Sequence, residues 1–204
     1  MAFDFSKEYI LEDDIVFLRP LQISDVDLLL EISKEPNIWD YSFLKGNGKI
    51  ELTNYIKQTL QNRKNQKDYP FAVIDKRTNK VAGCTRFCDI NLMFNATRLG
   101  FTWYGNQFQG TGLNKHCKYL LFEFAFEKIG FNRIGLAAYA ENTKSIAAMK
   151  SVGCVEEGRF RGLLPLDNSE NRSDAILFSI LKEEWFKEKK ENLKTKLIKN
   201  ALDT

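Results

Sequence analysis

The chain has 204 residues, 44% of them hydrophobic and 28% charged, as expected for a globular protein of one domain. Its formal net charge is only +3 at pH 7, and the sequence contains no arginine-rich helix or clustered basic motif, so we expect no nucleic-acid partner. The charged N-terminus and short apolar runs argue against a signal peptide and a membrane span, and predict a cytoplasmic protein.

The N-terminal part of the chain predicts one strand and two helices. A strand is expected over 15–19, and apolar positions at helical spacing predict a helix over 24–34, with Ser24 as its N-cap. A second helix is predicted over 50–63. Between the helices, 37–48 mixes aromatic residues with glycines and indicates an irregular arm.

The middle of the chain predicts an antiparallel meander followed by a long helix. Strands over 71–75, 81–90 and 98–103 are separated by short polar turns. A helix is predicted over 113–128, because apolar residues recur on one face at Leu113, Cys117, Leu120, Leu121 and Phe124.

The last part of the chain completes an α+β layout. The predicted elements are a strand over 134–139, a helix over 142–153 and an antiparallel strand pair over 155–161 and 175–181. A charged tail helix over 182–202, docked by Trp185, is expected to follow. No repeat or linker interrupts them. We therefore expect one domain over 1–204, with a core of about 14–187 and a helical tail over 188–204.

Four cysteines, Cys84, Cys88, Cys117 and Cys154, lie in predicted core elements. They lack the Cys-x-x-Cys spacing of a zinc site, so reduced buried thiols and no metal are expected.

The most informative segment joins the third meander strand to the long helix. It reads Gln107-Phe-Gln109-Gly110-Thr111-Gly112-Leu113-Asn114. A glycine-rich turn that opens a helix leaves backbone N–H groups unpaired at the positive end of the helix dipole, which suits a phosphate. Thr111 and Gly112 stand where a nucleoside-triphosphate loop needs Lys and Ser or Thr, and the third glycine of a dinucleotide loop is missing. Nucleotide hydrolysis and a nicotinamide cofactor are therefore disfavoured.

The spacing Gln107-x-x-Gly110-x-Gly112 resembles the pyrophosphate loop of the GNAT superfamily of acyl-CoA N-acyltransferases. Asn142-x-x-Ser145, followed by Gly153 and Glu157-Gly158, resembles its second motif block. Further segments fit the RimJ/RimL-type branch, which acetylates protein N-termini and small amines. These are Val16-Phe-Leu-Arg19-Pro20-Leu, Gly83, Gly110-Thr-Gly-Leu-Asn114 and Phe178-Ser-Ile-Leu-x-x-Glu184-Trp185. The resemblance covers roughly residues 14–187.

This resemblance implies a mainly antiparallel sheet with helices on both faces and a splayed pair of parallel strands that admits the pantetheine arm of acetyl-CoA. It implies that Gln107 belongs to the coenzyme site and that backbone amides hold the pyrophosphate, at Gln109, Gly110, Thr111, Gly112, Leu113 and Asn114. The main chain of Phe101, Thr102 and Trp103 would face the pantetheine. The Asn142 side chain would bond a pantetheine amide, while also serving as a helix cap.

The resemblance leaves the proton donor and the base open. Many superfamily members place a tyrosine seven residues after the asparagine, but this chain has Met149 there. Ser145 is the candidate for protonating or hydrogen-bonding the leaving sulfur, and its alternative is a helix-start serine bonding its own backbone. Glu157 and Asp89 are possible bases, and a water relay to an already neutral amine serves equally well.

Other polar and aromatic residues have two interpretations each. Trp39 and Tyr41, with Phe43, either form the acceptor pocket or anchor the irregular arm to the core. Lys115 and Lys118 either meet the ribose phosphate of coenzyme A or are solvated. His116, the single histidine, could be catalytic, but packing at the surface or at an edge is favoured.

The sequence thus predicts an N-acetyltransferase that uses acetyl-CoA and transfers directly, in a ternary complex, to a primary amine of a protein N-terminus or a small molecule. The alternatives are a coenzyme A-binding module without turnover and a longer acyl donor. A monomer and a homodimer remain equally open.

Overall fold

The computed structural model describes residues 3–166 and 171–202, with side chains as far as Ile198. Eight strands form one sheet in the order β1-β2-β3-β4-β5-β6-β8-β7. Their bounds are β1 Leu11–Glu12, β2 Val16–Pro20, β3 Tyr69–Asp75, β4 Lys80–Asn91, β5 Ala96–Tyr104, β6 Arg133–Tyr139, β7 Val155–Pro165 and β8 Arg172–Leu181.

The helices lie close to the predicted positions. They are α1 Asp25–Ser33, α2 Lys49–Lys64, α3 Leu113–Glu123, α4 Thr143–Ser151, α5 Lys182–Glu184 and α6 Lys190–Leu202. Two π-helical turns, Phe124–Ile129 and Trp185–Lys189, continue α3 and join α5 to α6. The short strand β1, the 3-10 turn Asn106–Phe108 and both π-helical turns were not expected from the sequence.

The sheet confirms the α+β class. Six of its seven neighbouring strand pairs are antiparallel, and β5 with β6 is the parallel one. Strands β3, β4 and β5 form the predicted meander. The chain crosses from β5 to β6 through α3, as a parallel connection requires.

Helices cover both faces of the sheet, as predicted. On one face, α1 and α2 pack over the first strands, and their core includes Leu29, Ile56 and Trp103. On the other face, α3, α4 and the C-terminal tail bury a larger cluster of apolar side chains. Trp185 is fully buried in that cluster and donates its indole N–H to Glu127 (2.8 Å), which docks the tail as expected.

One local prediction is wrong. Ser24 occupies the N-cap position of α1, but its side chain makes no cap hydrogen bond. The buried carboxylate of Asp25 instead accepts the N–H of Gln22 (2.8 Å) and pairs with Arg19 (2.6 Å), so this carboxylate organises the start of the helix.

Candidate active site

The loop between β5 and α3 contains two glycines in the left-handed region. Gly110 has φ +77° and Gly112 has φ +86°, a conformation that costs an L-residue energy because of its Cβ. A Cβ built on Gly110 would meet no atom within 4 Å, so the space in front of this residue is open. The glycines therefore shape a loop whose main chain is accessible to a ligand.

Several consecutive amides of this loop have no partner. Within the described residues, the backbone N–H groups of 110–114 make no hydrogen bond to main chain or side chain, whereas Lys115 and His116 already donate to the carbonyl of Gly112. The N–H of Gln109 donates to Asn106 (3.1 Å) and is thus not free for a phosphate, contrary to the expectation from sequence. The side-chain amide of Gln109 donates to the carbonyl of Tyr104 at the end of β5 (3.0 Å). Gln107 is exposed.

An arginine from a distant turn braces the loop. Arg77, after β3, donates to the carbonyl and hydroxyl oxygens of Thr111 at 3.2 and 3.3 Å. The buried Asp75 carboxylate holds the same guanidinium (2.8 Å), and this hydrogen-bonded pair lowers the pKa of Asp75 despite its burial. Arg77 was not predicted from the sequence, because only the folded sheet brings the β3–β4 turn beside the loop.

The parallel strands separate next to this loop. β5 pairs with β6 only from Ala96–Arg133 to Arg98–Gly135, and no pairing follows between 99–104 and 136–139. The predicted splay is thus present. The separated part of β5 contains a bulge. Two of its residues, Phe101 and Thr102, lie opposite a single residue of β4.

The three strand residues expected to face the pantetheine differ in their surroundings. Phe101 has φ +51°, which is rare for a bulky residue and concentrates at functional sites. Its ring lies against the guanidinium of the buried Arg86 (3.5 Å). Trp103 is buried with α1 and α2, and Thr102 points to the opposite face, where it contacts α3.

The start of α4 has the geometry of a side-chain cap. The Asn142 Oδ1 accepts the N–H of Ser145 (3.0 Å), while no partner for the Asn142 Nδ2 is found in the described part of the chain. Asn142 and Ser145 are half-buried, and Met149, one turn further, is buried in the core. The cap is confirmed, and the amide N–H groups of Asn142 are left available to a ligand.

Lys118 is buried, contrary to both interpretations of its role from the sequence. Its side chain is 5% exposed and donates to the Thr102 hydroxyl (3.1 Å), so it neither is solvated nor reaches outward to a ribose phosphate. A signal was present in the sequence. Phe122 and Ala125, four and seven residues on, lie on the same side of the helix as Lys118 and are also buried.

The irregular arm spans the separated strands. Tyr41 contacts Tyr139 at the end of β6 (5.9 Å between ring centroids), and Phe43 contacts Phe101 on β5 (5.6 Å). Tyr41 and Phe43 are exposed by 42% and 55%. Trp39 is buried and donates its indole N–H to the carbonyl of Ser33 (2.7 Å), as an anchor of the arm would.

Both carboxylates named as possible bases line one cavity beside the parallel pair, of about 250 Å³. Each is engaged by an arginine: Asp89 by Arg98 (3.0 Å), and Glu157 by both terminal nitrogens of Arg133. The contact with Arg133 lowers the pKa of Glu157 to about 2. A larger groove of about 850 Å³ lies between the N-terminal segment and α2, away from the loop.

The four thiols are buried, and the histidine is bonded to a carboxylate. All four cysteines are buried and free, and burial raises the pKa of Cys84, Cys88 and Cys154 to about 12 each and that of Cys117 as well. His116 bonds Asp13 (2.7 Å) at the edge of the sheet, which fits the packing role expected for it.

In the described ranges, no group of three or more His, Cys, Asp or Glu residues is placed to hold a metal ion. Nor does any helix there have the length and apolarity to cross a membrane.

Comparison with known proteins relates the chain to acetyltransferases. Residues 16–155 match the acetyltransferase (GNAT) domain family. Over 87 residues, the chain is 33% identical to the Bacillus subtilis (strain 168) protein named "Putative ribosomal N-acetyltransferase YdaF"; the match spans 43% of this chain and 46% of that protein, which is less than half of its length.

Solved structures share the fold at low identity. A GCN5-related N-acetyltransferase from Brucella melitensis superposes with a TM-score of 0.84 at 23% identity, covering 94% of this chain and 86% of the other. RimJ of Mycobacterium smegmatis, solved in complex with CoA-disulfide, superposes with a TM-score of 0.78 at 18% identity, covering 93% of each chain.

Proposed function

The chain belongs to the GNAT acetyltransferase family, and we propose that it transfers the acetyl group of acetyl-CoA to a primary amine on a protein N-terminus or a small molecule. One observation carries this proposal. A run of five unpaired backbone amides, 110–114, opens α3 directly after a strand that has separated from its parallel neighbour. Such a run suits a pyrophosphate, and the separated edge offers main-chain groups to an amide-containing arm.

In this proposal the coenzyme is bound mainly by main chain. The amides of Gly110, Thr111, Gly112, Leu113 and Asn114 would hold the pyrophosphate, with the dipole of α3 behind them. Arg77 keeps the loop in its conformation and adds positive charge beside it. Phe101, Thr102 and Trp103 would bond the pantetheine through their backbone, and the free Asn142 amide would bond it from α4.

The state of the thiols supports direct transfer in a ternary complex. A covalent route through a cysteine needs a nucleophilic thiolate, which a lowered pKa provides. Here burial raises the pKa of each cysteine, to about 12 in three of the four. We therefore propose that the amine attacks the thioester directly. Ser145, whose half-buried side chain lies at the start of α4, is proposed to hydrogen-bond the departing sulfur.

Removal of the amine proton is assigned to water. Glu157 is held by Arg133 and Ser179, and its pKa of about 2 makes it a weak base. Asp89 is paired with Arg98 and mostly exposed. An amine that arrives neutral, or loses its proton to a water in the cavity between these ion pairs, needs neither carboxylate.

The acceptor is proposed to enter beneath the arm. Tyr41 and Phe43 contact the separated strands on either side of the gap and keep large exposed surfaces. Exposed aromatic rings beside a gap suit the first side chains of a peptide or the body of a small amine. Trp39 supports this arm from within the core.

A thiol-release assay tests the proposal. The purified protein is mixed with acetyl-CoA and either free peptides and small primary amines or the same compounds with blocked amino groups, and products are identified by mass spectrometry. Release of thiol with free amines alone supports the enzyme. Binding of coenzyme A without release above the hydrolysis background would favour the module without turnover, a reading that the buried Met149 and the paired carboxylates keep open.

A further inference from the structure

Lys118 is an exception among the buried charges. In the described residues, five charged side chains are buried, and four of them have ion-pair partners: Asp25 with Arg19, Asp75 with Arg77, and Asp68 with Arg86. Lys118 forms no ion pair within residues 3–166 and 171–202. Its single hydrogen bond there is to the Thr102 hydroxyl, so two of its three N–H donors are unused.

This arrangement is costly for stability. Taking an ammonium out of water carries a penalty of several kcal/mol unless an opposite charge compensates it. The titratable groups facing Lys118 are Cys117 on its own helix, Cys88 on β4 and Cys154 after α4, and burial keeps all three thiols neutral. The same burial lowers the pKa of Lys118. An apolar side chain would suit this site better, so the charge calls for a functional explanation.

The position of Lys118 supplies that explanation. Thr102 lies on the part of β5 that has left β6, and its hydroxyl also bonds Thr85 (2.7 Å). This hydroxyl pair fixes the lysine beside the separated edge, on the face covered by α3. Lys118 also interacts electrostatically with Cys154, which follows α4. The ammonium is therefore buried between α3 and the part of β5 that borders the gap.

We infer that Lys118 donates the proton that the leaving sulfur of coenzyme A requires. This inference rests on the proposed function. The amine nitrogen bonds the acyl carbon, the carbon–sulfur bond breaks and the electron pair goes to sulfur. Lys118 gives this thiolate a proton and becomes neutral, and it regains a proton from water, which receives the one that the amine loses.

Lysine suits this role better than the serine on the other helix. The cysteine thiol has a pKa of about 8.5, below the ~10.4 of a free lysine, and burial shifts the pKa of Lys118 downward, in the direction of the thiol value. A proton donor works best when its pKa is near that of the group it serves and near the working pH. Ser145 can donate a hydrogen bond to the sulfur, but it is a far weaker acid than Lys118. The roles of the two residues are therefore complementary.

Lys118→Met tests the inference, with Lys128→Met as the matched control. Lys128 is an exposed lysine on the π-helical extension of α3, so its loss removes the same charge away from the gap. We expect Lys118→Met to bind coenzyme A but to lower the rate of transfer about 10²- to 10⁴-fold, as loss of an acid catalyst does. The decline of the wild-type rate at high pH, where Lys118 loses its proton, should disappear in the variant. Lys128→Met should behave as wild type.

A second measurement needs no acceptor amine. Titration of bound coenzyme A, followed by thiolate ultraviolet absorption, should give a lower thiol pKa with wild-type protein than with Lys118→Met, because the ammonium stabilises the thiolate. If no amine is acetylated, the proposed function is wrong, but this titration still tests whether Lys118 acts on the sulfur. Equal thiol titration curves, or an unchanged transfer rate in Lys118→Met, would overturn the inference. Denaturant unfolding should show that Lys118→Met is at least as stable as wild type, and Lys118→Leu serves if the methionine variant does not fold.

Discussion

Replacement of Gly110 by leucine tests whether this glycine only permits a left-handed backbone or also leaves the loop amides open to a ligand. At φ +77°, leucine costs about 1–2 kcal/mol of backbone energy, and its side chain enters the open space in front of the loop. The free amides of 110–114 would each contribute about 1.5–3 kcal/mol to a charged phosphate. If the side chain blocks about two of them, affinity for coenzyme A falls by about 3–6 kcal/mol, or roughly 10²- to 10⁴-fold.

Gly130→Leu is the matched control for this prediction. Gly130 ends the π-helical extension of α3 at φ +90°, and the nearest atom to its added Cβ is the flexible Lys182 ammonium at 3.9 Å. Backbone strain is therefore similar, and both variants should lower Tm by about 2–8 °C. Calorimetry with coenzyme A should show lost affinity for Gly110→Leu and wild-type affinity for Gly130→Leu. Wild-type affinity in Gly110→Leu would refute the loop as the phosphate site, and equal losses in both would point to strain alone.

Three further predictions concern the cap, a buried ion pair and an acidic residue. Asn142→Asp keeps the oxygen that caps Ser145 but loses the amide donor, so it should weaken acetyl-CoA binding at nearly unchanged stability, whereas Asn142→Ala should also lose about 1 kcal/mol in urea unfolding. Asp68→Leu leaves Arg86 buried without a carboxylate and should cost about 3–5 kcal/mol, measured as a lower urea midpoint. Glu157 has a folded pKa of about 2, below its unfolded value near 4.5, so its stabilisation is complete above pH 4.5 and is lost as pH falls toward 2. Thermal unfolding of Glu157→Gln should therefore depend less on pH in this window than that of wild type, while the two transfer amines at similar rates if water is the base.

Local patterns in the sequence were sufficient for most elements of the fold. Apolar spacing and turn residues predicted the meander, α3 and the last strand pair within a few residues, because each pattern is set by neighbours in the chain. The glycine loop was found for the same reason, since its conformation depends on Gly110 and Gly112 themselves. The two-residue strand β1 was missed because so short a segment has no periodicity, and only pairing with β2 defines it.

The features that shape the proposed chemistry depend on contacts between distant segments. Arg77 reaches Thr111 across 34 residues, and Lys118 reaches Thr102 across 16. The left-handed backbone at Phe101 arises from the bulge against β4, and the sequence gives no glycine or asparagine there to signal it. A lysine on a helix is usually solvated, and although Phe122 and Ala125 on the same side of α3 were a local sign of burial, the contact of Lys118 with β5 became visible only in the fold.

The electrostatics of the gap favour a mechanism with few ionisable groups. The thiols of Cys88, Cys117 and Cys154 are kept neutral by burial, and the carboxylates of Asp89 and Glu157 are held by arginines. A negative charge developing on the departing sulfur would thus meet little repulsion and, under our proposal, one buried ammonium. Low polarity strengthens that attraction, because charge interactions gain energy as the local dielectric falls. The cost of burying Lys118 in the resting protein would then be recovered in the transition state, where the charge acquires its partner.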